Sequence, residues 1–161
     1  LSSRRISRRG ALLGVLALAG CGFAPVHGEN NRLRGAFSFE TDDNVSGFRL
    51  RDRLEQRLGR ATGARYVLRV RVTDRQRTSA IRSDGDTTRF NVIGTAAWTL
   101  TDVTTGEDVQ DGVVETFTSF AATGSTVATQ AAARDATTRL AVALADMIVS
   151  RLLILAPELD L

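Results

Sequence analysis

The 161-residue chain has no lysine, a single cysteine, a single histidine, one tryptophan and two prolines. With only one thiol, Cys21, no disulfide can form within it, so it must fold without covalent staples. The lone imidazole, His27, lies six residues past that thiol, in a segment rich in glycine and asparagine. Neither a Ser-His-Asp nor a Cys-His arrangement can be built around it in a rigid pocket, and no metal site of the usual His and Cys ligands is available. Neither common phosphate-binding glycine loop is present. Asp84-Gly85-Asp86 lacks the ligand series of a calcium loop and reads as a hairpin turn. No carboxylate pair stands out for hydrolysis. The chain therefore reads as non-catalytic, with no metal and no dissociable cofactor.

The one cysteine ends a short oily run. Arg4, Arg5, Arg8 and Arg9 form a positive cluster, and "ALLGVLALAG" (11–20) follows it directly. This is the layout of an export signal, with a charged start, a short apolar stretch and small residues at the cut. A stable membrane span needs about 20 apolar residues, twice what is present here. Leu18-Ala19-Gly20-Cys21 resembles the bacterial lipobox, which implies a diacylglyceryl group on the Cys21 thiol, cleavage before it, and N-acylation. Arg8-Arg9 is an incomplete version of a twin-arginine signal, so the export route stays open. The chain divides into a signal (1–20), a lipidated tether (21–32, "CGFAPVHGENNR") and one domain (33–161).

Removing the signal changes the charge reading. Residues 1–20 hold four of the 21 basic residues and none of the 18 acids, leaving 17 − 18 = −1. The basic pI near 10.3 thus reflects the signal and does not argue for a nucleic-acid partner. The remaining charge is unevenly spread: residues 49–89 hold twelve arginines against five acids, and residues 90–133 hold five acids and no arginine.

Hydrophobic period supplies the elements. "LRGAFSFET" (33–41), with Leu33, Phe37 and Phe39, reads as a first strand. Leu50, Leu54 and Leu58 recur at four-residue spacing, the stripe of an amphipathic helix capped by Asn44 or Ser46 and ended by Gly59 or Gly63. The period then becomes two. Tyr66, Leu68, Val70 and Val72 share one face of a second strand, and Arg65, Arg69, Arg71, Thr73, Arg75 and Arg77 share the other. After the polar "SDGDT" (83–87), Phe90, Val92, Ala96, Trp98 and Leu100 alternate again, and "DVTTGED" turns around Gly106 into a fourth strand. In that strand, "GVVETFTSFAA", Val113 and Phe117 compete with Val114 and Phe120 for the inner face. From Ser125 to about Ala156 an alanine-rich helix carries Ala136, Leu140, Leu144, Met147 and Ile148 near one stripe, with Pro157 beyond its end. Its "LLIL" (152–155) is apolar on more than one side and needs cover from the domain or a partner. The order β-α-β-β-β-α predicts a two-layer α+β sandwich: a four-stranded, mostly antiparallel sheet, two helices on one face, arginine and threonine on the other.

The residues after the thiol, Cys21-Gly22-Phe23-Ala24-Pro25-Val26-His27-Gly28, resemble the lipidated C-G-F-x-P-x-Y-G start of the LPS-assembly lipoproteins of the LptE type, in the form found in alphaproteobacteria. His27 stands where that group has tyrosine. The turn "DVTTGE", the C-terminal "ARDATTRLAVALADMIVSRL" and the element order are similar as well. The resemblance implies a lipoprotein held at the periplasmic side of the outer membrane. There it would plug the β-barrel LptD in a one-to-one complex that delivers lipopolysaccharide to the outer leaflet. Arg69, Arg71 and Arg89 are then candidate contacts for lipid A phosphates or barrel acids, because the charge asymmetry gathers cations on their strands. The loop Ser83 to Thr88 would reach toward the far end of the barrel. A second reading is an auxiliary lipoprotein of a phospholipid-trafficking transport system.

Overall fold

The computed structural model describes residues 33–81, 87–122 and 125–159. The signal, Cys21, the tether and most of the polar loop after Ile81 lie outside the described residues.

Four strands and two helices follow one another as β1 (Phe37–Thr41), α1 (Val45–Leu58), β2 (Tyr66–Ile81), β3 (Thr87–Asp102), β4 (Asp108–Ala121) and α2 (Thr126–Leu155). A single 3-10 turn, Ala156–Glu158, closes the chain around Pro157. The sheet runs β1-β2-β3-β4. β1 pairs parallel with β2 through the α1 crossover, and the two hairpins that follow are antiparallel. This is the predicted α+β sandwich, with its mostly antiparallel sheet and both helices on one face.

Local chemistry explains each boundary. Asn44 caps α1, its Oδ1 accepting from the Gly47 backbone N–H at 2.8 Å, and Gly59 ends the helix at φ +80, where a side chain would be strained. Leu50, Leu54 and Leu58 are all buried, as their spacing requires. Leu33 is also buried but precedes β1, because the chain turns at Gly35 before the strand begins. The β3–β4 hairpin closes around Gly106, whose N–H donates to the Asp102 carbonyl at 2.8 Å.

The inner sheet face carries Phe37, Phe39, Tyr66, Leu68, Val70, Val92, Ala96, Trp98, Leu100, Val114 and Phe120, all buried beneath the helices. Register settles the fourth strand: Ala96 faces Val114 and Phe90 faces Phe120, so Val113 and Phe117 point outward, exposed by 64% and 63%. α2 lies over β3 and β4 with Ala136, Leu140, Leu144 and Ile148 buried. Gly94 permits this approach, since a Cβ there would stand 2.6 Å from Leu140 Cδ2. α2 with its closing turn is long and apolar enough to cross a membrane, yet the buried stripe makes it a core helix. Of "LLIL", Leu152 is buried, Leu153 and Leu155 are partly covered, and only Ile154 remains exposed. Asp146 ties the two helices. Arg53 grips it with two bonds of 3.0 Å, and Arg57 adds one of 3.3 Å.

Candidate partner-binding face

Among the described residues, no helix lies over the outer face of the sheet. Alternation places Arg69, Arg71, Thr73, Arg75 and Arg77 of β2 on this face beside Thr99, Ala97, Thr95, Ile93 and Asn91 of β3. β4 then sets Asp111, Val113, Glu115, Phe117 and Ser119 against those β3 residues. The basic and acidic stretches of the sequence thus become neighbouring bands on one surface, with threonine between them. Thr95 Oγ1 donates to Glu115 at 3.1 Å, and Thr101 Oγ1 donates to Asp108 at 2.6 Å.

The structure separates the arginines chosen from sequence. Arg69 is engaged at home: its Nε donates to Glu40 at 2.8 Å and its Nη1 to Thr101 Oγ1 at 3.2 Å. Arg71 is 86% exposed and only grazes Asp42, at 3.7 Å. Arg89 is exposed on the same face, near the opposite end of β3 from Thr99, the partner of Arg69, and pairs in register with Ala80. The three are therefore co-facial but do not converge on one point. Arg75 and Arg77 lie between them, exposed and without an ion pair among the described residues. Their place in the same alternating run was the available signal for them.

β2 outruns β1, whereas β4 accompanies β3 as far as Arg89. β1 pairs only with Tyr66 to Val70, and past Val72, whose N–H donates to Asp42 Oδ2 at 2.8 Å, no strand borders β2 on that side among the described residues. On its inner side the residues turn polar after Val72, to Asp74, Gln76 and Thr78, all exposed. The end of β2 is thus wet on both faces, while beside it β3 and β4 keep Val92 and Phe120 buried.

Asp102, at the end of β3, is the one carboxylate buried in this region. The Thr104 backbone N–H donates to its Oδ1 at 2.7 Å, and Arg65 meets its Oδ2 at 3.1 Å. Chiefly through the Thr104 bond, and then through Arg65, its carboxyl titrates below the ordinary 3.8. Elsewhere, the Arg60 guanidinium holds Glu55 below the usual carboxylate range. Asp102 anchors the β3–β4 turn, whereas the Glu55–Arg60 pair lies at the surface. Among the described residues, no three His, Cys, Asp or Glu side chains gather as metal ligands.

A family model described as "LptE: Lipopolysaccharide-assembly" matches residues 36–152, which spans β1 through nearly all of α2. The chain belongs to the LptE family. Solved structures share the LptE fold at low identity. A candidate lipoprotein of Caulobacter crescentus CB15 matches at TM-score 0.68 and 24% identity, over 83% of this chain and 99% of that one. The rare lipoprotein B of Shewanella oneidensis matches at TM-score 0.57 and 15% identity, over 72% and 92%. A minor lipoprotein of Acinetobacter baumannii matches at TM-score 0.56 and 18% identity, over 73% and 90%. No curated protein matches the sequence significantly. Membership in the LptE family assigns the chain to lipopolysaccharide assembly.

Proposed function

We propose that this LptE-family chain is a non-catalytic outer-membrane lipoprotein. Acyl chains on Cys21 hold it at the periplasmic side, and it seats as a one-to-one plug in the lumen of an LptD-type β-barrel during lipopolysaccharide delivery. One observation carries this reading. Among the described residues no element lies over the outer sheet face, while both helices are committed to the inner face. That face is mainly arginine, threonine and acid, with apolar side chains at only a few positions. A barrel interior is polar, so a polar sheet face suits its wall as it would not suit an apolar protein core. The lipid adds about 0.8 kcal/mol for each buried CH₂, so several acyl chains give lasting attachment.

Within this reading, Arg71 and Arg89 meet lipid A phosphates or barrel acids through charge-assisted bonds, and Arg69, held by Glu40, plays a lesser part. Co-purification of the tagged, lipidated chain from detergent-solubilised outer membranes provides the test. A stoichiometric complex with a large barrel is expected. Recovery of the lipoprotein alone, or on the periplasmic ring of a lipid transporter, defeats the plug reading and favours the phospholipid-trafficking one. Arg71→Ser with Arg89→Ser is expected to weaken lipopolysaccharide binding severalfold, while Arg69→Ser changes it less. Equal affinity in all three sinks the phosphate contact.

A further inference from the structure

The proposed role uses the outer face of the sheet and leaves the backbone edge of β4 unused. β4 is fourteen residues long and, among the described residues, has no strand on its far side. A row of unpaired backbone groups of that length is a template for another strand. At its proximal half, the Trp98 indole runs under Gly112 toward this edge. A Cβ on Gly112 would stand 2.7 Å from Trp98 Cζ2 and 3.1 Å from Nε1. The missing side chain opens a cleft of about 310 Å³ between Trp98 and Gly112 on the sheet and Arg151, Ile154 and Leu155 at the end of α2.

Two donors in this cleft lack acceptors. Trp98 is 4% exposed, and its Nε1 has no hydrogen-bond partner, whereas a buried indole N–H usually finds one. Arg151 is exposed and makes no ion pair among the described residues. The rim is apolar, with Ile154 exposed by 70% and Val113 by 64%.

We propose that the β4 edge and this cleft together receive an extended segment of a partner polypeptide as a fifth strand. One inward side chain sits over Gly112 against the indole, and an acceptor on the segment takes the Trp98 N–H. Charge specifies the segment further. The outward side chains of β4 include Asp111 and Glu115, neither bonded to a cation among the described residues, so the outward side chains of the added strand are basic. A second copy of β4 does not fit, because antiparallel self-pairing would set these acids on the same face as their own copies. A water molecule would satisfy the indole but explains neither the open edge nor the acid row. The inference stands apart from the barrel reading: it concerns the opposite edge from the β2 arginines and requires no lipopolysaccharide.

Trp98 is the only tryptophan in the chain, so its emission and its single indole ¹⁵N–¹H resonance both report on the cleft. The experiment titrates the purified, lipidated full chain in detergent with a blocked ten-residue peptide of alternating valine and arginine. A saturable shift of both signals is expected. Asp111→Arg combined with Glu115→Arg is expected to weaken binding about tenfold. The same peptide N-methylated at every amide should not bind, since it cannot extend the backbone ladder. The proposal is overturned if the indole resonance stays put, if the methylated peptide binds as well as the plain one, or if the charge-reversed chain keeps its affinity.

Discussion

Asp102 shows how one side chain can hold a turn through charge. Its carboxylate accepts from the Thr104 N–H and from Arg65, while its backbone exchanges bonds with Gly106 and Glu107. The Thr104 bond first, then Arg65, depresses its folded-state pKa below the unfolded value near 3.8. A depressed carboxyl releases its proton more readily when folded. Its contribution is therefore complete above the unfolded pKa and is lost as pH falls through the folded one. Stability of the native chain should drop over the acid interval below about pH 4. Asp102→Asn should be less stable at pH 7 and show a shallower decline over that interval. Urea midpoints at pH 7, 4 and 2.5 check it, and parallel curves would show that other carboxylates carry the acid loss. Glu55, lowered mainly by Arg60, titrates in the same direction but lies on the helix surface, where solvent screening reduces its effect.

Among the elements, the contact between α2 and β3 is the most constrained. A Cβ at Gly94 would stand 2.6 Å from Leu140 Cδ2 and 3.0 Å from its Cγ, and Leu140 is 1% exposed. Gly94→Ala is therefore expected to cost about 1–3 kcal/mol by overpacking. Leu140→Ala alone should cost about 2–5 kcal/mol through the cavity it leaves. Combined, the two should cost less than their sum, because the new methyl occupies part of that cavity. Denaturant unfolding of the three variants measures the coupling, and strict additivity would rule the contact out. Removing the shared carboxylate between α1 and α2 with Asp146→Ala should cost about 1 kcal/mol, as its ion pairs are only partly buried.

These same elements show what period alone can and cannot reveal. α1 and the first half of β2 were legible because their buried residues recur at four and at two: Leu50, Leu54, Leu58, then Tyr66, Leu68, Val70. β4 was not, because Val113, Val114, Phe117 and Phe120 satisfy both phases. Only pairing with β3 distinguishes them, and that is a property of two strands together. The candidate face was legible to the same degree. Alternation placed the arginines of β2 on one side, but the partner that occupies Arg69 is Glu40, twenty-nine positions away on β1. The Trp98 cleft was hidden for a similar reason, since it needs Gly112 opposite the indole and the end of α2 above it.

At the scale of the whole molecule, topology orients the proposed function. The chain enters the domain at Leu33, beside the end of α1, where Gly35 N–H donates to the Leu58 carbonyl at 2.8 Å. β1 starts at this end, and so does β2, while β3 runs back to it and closes at Asp102. β2 ends and β3 begins at the opposite end. On the proposed lipidation at Cys21, the near end would face the membrane and the far end of β2, with Arg75 and Arg77, would face away from it. Eleven residues, 22–32, separate the thiol from Leu33, at most about 40 Å of extended chain. Anchor and core are thus chemically independent, and Cys21→Ser should separate them. The variant is expected to lose its acyl chains and leave the membrane fraction while keeping the thermal midpoint of the wild-type domain. Fractionation, mass spectrometry of the N-terminal peptide and a melting curve read the three outcomes. A variant that stays membrane-bound without acyl chains would show that the protein surface itself, rather than the lipid, supplies the attachment.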